Sequence, residues 1–137
     1  MKSAEHAAVG AVVGAVAVAL FLPSESLSTQ AALWAGGVFF SVFIDLDHFV
    51  IARAMRGDWS NLRRAVTNPR VGLVDQEQVF ADVDEPRLRQ YRLLSHLLLG
   101  GVLVALASRL TVGLGVFVAV LLYAHVVADL VRDAELA

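Results

Sequence analysis

Four long apolar runs leave this chain few folds to choose from. The fourth, "LTVGLGVFVAVLLYAHVVADLV" (110–131), and the second, from Ala31 to about Ala52, match the roughly 20 residues that carry a helix across a hydrocarbon core of about 30 Å. The first, "AAVGAVVGAVAVALFL" (7–22), and the third, "LLSHLLLGGVLVALA" (93–107), are shorter and need their flanks or a thinner bilayer. All four are apolar around the whole helix rather than along one stripe, which argues against a soluble bundle. The expected architecture is all-α: a polytopic membrane protein forming a single membrane domain over 1–137. Its transmembrane helices fall at about 7–22, 31–52, 92–108 and 110–131, with a connector at 53–91 between helices 2 and 3.

The basic residues give that architecture an orientation. The stretch 53–92 holds eight arginines, Arg53, Arg56, Arg63, Arg64, Arg70, Arg87, Arg89 and Arg92, whereas 23–30 ("PSESLSTQ") has none. With four spans, Lys2 and Arg132 fall on the same side as the connector, so ten of the eleven basic residues share one side. The positive-inside rule makes that side the cytoplasm, in the inner or plasma membrane, with both termini cytoplasmic. Glu5 and His6 stand where a cleavable signal peptide would have a basic segment, so the first run is expected to stay. A net charge of −2 gives no argument for nucleic acid, and the absence of cysteine excludes thiolate metal sites and thiol nucleophiles.

Against this greasy background the polar residues fall into a pattern. His6 opens span one, and Asp45, Asp47 and His48 ("IDLDHFV", 44–50) close span two. His96 lies just inside span three, and His125 and Asp129 lie in the last turns of span four. At about 1.5 Å of rise per residue, all are expected in one layer about 5–10 Å below the cytoplasmic surface. Intramembrane carboxylates persist when they are paired, protonated or bound to a cation. His125 and Asp129 share a helix face at i,i+4, as do Asp45 and His48 at i,i+3. On an ideal helix Asp47 lies about 200° around from Asp45. Either the helix departs from ideality at "DLD", or Asp47 faces a supporting shell or the water interface.

Imidazoles and carboxylates form a borderline N/O donor set, better suited to Zn²⁺, Mn²⁺ or Fe²⁺ than to Ca²⁺. Seven candidates exceed one tetrahedral ion; two ions, or one ion with supporting hydrogen bonds such as Asp129 to His125, would use them. Taken singly, each has a plainer role as an interfacial, capping or hydrogen-bonded residue.

Taken in order, "AEHAAVGAVVG", "FIDLDH", "YRLLSH" and "YAHVVAD" resemble the YdjM-like family of inner-membrane-associated metal-dependent hydrolases. The resemblance covers all four spans. It implies metal-binding or catalytic roles for His6, Asp45, Asp47, His48, His96, His125 and Asp129, with Arg92 matching the family's arginine and Ser95 its Thr/Ser position. Tyr91 stands where the family has histidine, Leu97 where it has serine, and Ile44 where a proline often precedes D-x-D-H.

The resulting expectation is a hydrolase facing the cytoplasm. Metal ligands would be His6, Asp45, His48, His96, His125 and Asp129, holding a divalent metal, zinc or manganese. Asp47, Arg92 and Tyr91 would serve the chemistry: Asp47 as general base, Arg92 on an anionic group, Tyr91 as an acid. An anionic lipid or membrane-delivered phosphoester is the expected substrate. A metal or proton carrier and a catalytically degenerate scaffold are the alternatives. Within the connector, "DWSNLRRAV" (58–66) reads as an interfacial helix capped by Asp58, with Trp59, Leu62 and Val66 toward the membrane and Arg63 and Arg64 outward. "VDQEQVFADVDE" (74–85) reads as solvated loop. Gly10 and Gly14 form G-x-x-x-G, leaving contact within the chain and a homo-oligomer both open.

Overall fold

Each apolar run becomes a helix, and each break coincides with a residue that ends or starts one. The computed structural model describes residues 2–134, which are helical with no strand among them. The order is α1 (Ser3–Phe21), α2 (Leu27–Phe43), a 3₁₀ turn (Ile44–Leu46), α3 (Asp47–Arg56), α4 (Ser60–Thr67), α5 (Pro69–Leu73), a second 3₁₀ turn (Gln76–Gln78), α6 (Glu85–Leu110) and α7 (Val112–Asp133). Pro23 follows α1, and Ser26 caps α2 by accepting from Thr29 N–H at 3.2 Å. Gly57, at φ +86°, closes α3 in the left-handed region that favours glycine. Thr111 caps α7 by accepting from Leu114 N–H at 3.0 Å.

Among the described residues four segments are long and apolar enough to cross a membrane: Ser3–Phe21, Leu27–Arg56, Glu85–Leu110 and Val112–Asp133. The third begins seven residues before the expected 92. Asp84 accepts from Arg87 N–H at 3.0 Å, and Glu85 and Pro86 fill a first turn that tolerates both, so the helix starts well before its apolar part.

The chain divides into two compact units. One comprises Ser3–Ile44 and the chain from His96 onward; the other comprises Asp45–Ser95. In the first, α1 packs against α2 and α7 around Ala17, Val18, Leu22, Phe117 and Leu121. Neighbours run antiparallel: Trp34 of α2 donates its indole N–H to the Ala11 carbonyl of α1 at 2.9 Å, and a side chain on Gly113 would strike the Phe21 carbonyl. The α1–α2 approach is set by Gly10. A Cβ there would come within 2.6 Å of Ser41 Oγ and 2.7 Å of Ser41 Cβ, so only glycine fits. A Cβ on Gly37 would likewise meet Leu121 and Phe117 at 2.9 Å. The G-x-x-x-G of α1 therefore serves contact within the chain.

The second unit replaces the expected solvated loop with a folded one. Asp82 is its hub: Arg56 pairs with its carboxylate at 3.1 Å, Arg64 donates to both carboxylate oxygens at 3.3 and 3.2 Å, and Asn61 donates to Oδ1 at 2.9 Å. Asn61 also donates to the Val79 carbonyl at 2.7 Å and is buried, as are Val79 and Val83. Arg64 therefore turns inward rather than outward. The exposed face of α4 carries Arg63 and Val66 instead. Asp58 accepts from Ser60 N–H at 2.8 Å, but the N-cap position of α4 falls on Trp59, which makes no side-chain cap bond, so the expected Asp58 cap is not formed. The Ser60 hydrogen bonds hold the Asp58 carboxyl below the usual range.

Partial burial works to raise the Asp82 carboxyl, but the hydrogen bonds from Arg64 and Asn61 prevail and hold it below its ordinary value. A carboxyl depressed in this way stabilises the folded unit fully above its unfolded value of about 3.9. That contribution is lost as pH falls from there through the lower folded value. Asp82→Asn should cost the second unit about 0.5–1 kcal/mol at pH 7. The check is amide hydrogen exchange across 60–83: protection should fall at pH 7 in the variant, and only the parent should lose protection between pH 5 and 3. Equal protection at pH 7 would show that the network contributes nothing.

Candidate metal centre

Helix geometry explains which polar side chains meet. In the first unit His6 lies in the second turn of α1, and His125 and Asp129 lie one turn apart near the end of α7. Because α1 and α7 run antiparallel, these positions come to the same end of the bundle. His96 reaches that end from α6, which passes α7 where Leu122 fills the space beside Gly100. All four residues are buried, the histidines to 2% exposure or less.

The contacts are close. His6 and His125 stack at 4.0 Å between ring centroids, and His125 and His96 at 5.0 Å. His96 Nε2 and His125 Nε2 are 3.1 Å apart. Asp129 Oδ1 lies 3.4 Å from His6 Nε2, and its Oδ2 lies 3.5 Å from His125 Nε2. His6, His125 and Asp129 each turn one ligand atom into a space where all lie within 4.8 Å of one another.

These spacings suit ligands better than ion pairs. A charge-assisted N–H···O bond settles at about 2.7–2.9 Å. Two nitrogens on one ion at about 2.0–2.1 Å are separated by about 3.3 Å at a tetrahedral angle and about 2.9 Å at a right angle. The observed 3.1–3.5 Å fall in or near that range. The donor types agree as well: neutral imidazole and carboxylate are what a borderline divalent ion takes.

The second unit holds its own group. The chain leaves α geometry at Ile44–Leu46, where a 3₁₀ turn winds at about 120° per residue. Side chains three apart then nearly eclipse, so Asp45 and His48 align, with Asp45 Oδ1 3.4 Å from His48 Nε2. Asp47 is brought round as well, its Oδ1 3.7 Å from His48 Nε2. Asp45, Asp47 and His48 each offer one ligand atom within 4.8 Å of the others. Of the two alternatives the sequence leaves for Asp47, the departure from ideality is the one observed. The edge of the Phe80 ring meets the His48 imidazole at 6.0 Å between centroids, and Phe80 also packs on Phe49 at 5.3 Å. A residue of the supposed loop thus braces a candidate ligand, a contact that no sequence motif announces.

Both groups can hold a divalent cation, and every member of each is among the seven residues singled out from the sequence. Tyr91 and Arg92 are not in either group. Both lie on α6, Tyr91 51% exposed and Arg92 half-buried. No family model, no curated protein and no solved structure matches the chain. The likeness to YdjM-like hydrolases therefore rests on the four motifs themselves.

If the first group is a metal centre, removing the ring shared by both stacks removes affinity. His125→Ala should weaken Zn²⁺ or Mn²⁺ binding by more than the roughly 10–100-fold that loss of a mere supporting hydrogen bond costs. Competition titration of purified protein checks this, with circular dichroism to show that the helices persist. An unchanged dissociation constant in a folded variant would exclude His125 as a ligand.

Proposed function

We propose that this protein is a membrane-embedded, divalent-metal-dependent hydrolase of the YdjM-like kind, working at the cytoplasmic face of the inner or plasma membrane. The observation that carries the reading is the buried His6–His125–Asp129 group with His96 beside it. Polar groups in apolar spans are expensive, and this spacing suits cation binding. The lopsided arginine distribution supports the orientation.

His6, His125 and Asp129, with His96, are the ligands in one unit, and Asp45 and His48 in the other. Zinc fits the imidazole-rich set, and zinc or manganese the set of Asp45 and His48. When bound there, a divalent ion would supply Lewis-acid activation of water and of a phosphoryl or acyl oxygen. Asp47 takes up a proton at a carboxylate oxygen as general base. Arg92 holds an anionic oxygen of the substrate through its guanidinium fork, and Tyr91 offers its phenol as a proton donor. Arginines near the ends of apolar spans suit an anionic lipid or another phosphoester delivered within the membrane.

The test is elemental analysis of purified protein, followed by hydrolysis of p-nitrophenyl phosphate and of phospholipid with and without chelator. Bound metal and chelator-sensitive turnover are expected. Asp47→Asn should lower kcat by about 10²–10⁴-fold while the imidazole-bound metal is retained. Metal without turnover on either substrate would favour a carrier, and neither metal nor turnover a degenerate scaffold; either result overturns the proposal.

A further inference from the structure

The second unit carries a surface that the hydrolase reading leaves unused. Arg53 lies in the last turn of α3, where the apolar segment Leu27–Arg56 ends. Its guanidinium sits over the Trp59 ring, 4.8 Å from the centroid. At about 100° per residue, Trp59, Arg63 and Val66 lie at i, i+4 and i+7 on one face of α4. That face is opposite the one occupied by Asn61 and Arg64, which the Asp82 network holds inward. Trp59 is 46% exposed and Val66 71%, and Arg63 is exposed as well.

We infer that Trp59, Val66, Arg53 and Arg63 form a docking face for anionic lipid head groups of the bilayer that the protein spans. Three features select that occupant. The face begins within a few residues of the end of an apolar span, where the head-group layer lies. Tryptophan prefers that layer, its ring in the apolar boundary and its N–H toward water. Arg53 is exposed with its guanidinium held over an aromatic ring, a planar cation suited to phosphate oxygens, and Arg63 adds a second cation along the helix. The Asp58 carboxylate, a nearby negative charge, accepts from Ser60 N–H. The Asp82 network thus has a consequence beyond stability, since by holding Arg64 and Asn61 inward it sets which face of α4 looks out. The inference depends on the membrane spans and not on the metal centre.

Trp34 is the chain's other tryptophan, so Trp34→Phe isolates the Trp59 signal. Full-length protein in nanodiscs of phosphatidylcholine, with and without phosphatidylglycerol, is compared using lipids brominated near the head group. Trp59 emission should shift to the blue and be quenched about twofold more in anionic discs. Arg53→Gln with Arg63→Gln should remove that dependence on lipid charge while metal content stays the same. If Trp34→Phe does not fold, the difference between the unaltered chain and Trp59→Phe reports the same signal. Equal quenching by aqueous iodide in neutral and anionic discs would overturn the inference, because the face would then lie in water. Shielding that follows protein concentration rather than lipid charge would overturn it too, assigning the face to a second copy of the chain.

Discussion

Polar groups set into apolar helices must find one another, and that requirement organises this protein. An imidazole or carboxylate among hydrocarbon loses its hydration and recovers it only from partners. In the first unit the partners are His6, His96, His125 and Asp129, drawn from three helices. Close helix approach makes their meeting feasible, and small residues make close approach feasible. Ser41 fits against α1 because Gly10 has no side chain, and Phe117 and Leu121 reach α2 because Gly37 has none. Antiparallel packing then brings the start of α1 to the end of α7. The polar cluster and the glycine contacts are two aspects of one packing solution.

The second unit solves a different problem. The chain between two apolar spans, rich in charge, gains an interior of its own from few hydrophobic side chains. Ala52, Val71, Val79 and Val83 supply its apolar part, and a polar part joins them, with Asp82 gathering Arg56, Arg64 and Asn61. Such a network fixes geometry more than it adds stability, since partly exposed ion pairs are individually weak. Its effect is positional. It orients α4 and, through the 3₁₀ turn beside it, sets Phe80 against His48 and Phe49.

Much of this was legible in the sequence because hydrophobic length and residue type are local properties. The four spans follow from the apolar runs, two of them with help from their flanks, and the seven polar residues stand out because they interrupt or end those runs. Asp47 was only half legible. The period of an ideal helix sets it away from Asp45, and the 3₁₀ turn that brings them together depends on the fold around "IDLDHF" rather than on any propensity of those residues. Arg64 was misleading for a related reason. In a short helix rich in arginine the expectation is outward charge, and only a long-range partner, Asp82, eighteen residues on, reverses it. Gly10 and Gly14 announced close packing but not with what, because a small-residue motif carries no information about its partner.

The central claim is that buried imidazoles of the first unit bind a divalent ion directly. X-ray absorption at the zinc edge of the zinc-loaded protein reads this without reference to activity. The account predicts nitrogen and oxygen neighbours at about 2.0–2.1 Å, with the multiple-scattering signature of at least two imidazoles, reduced in His6→Ala and His125→Ala. A shell of oxygen ligands alone, unchanged in either variant, would contradict it.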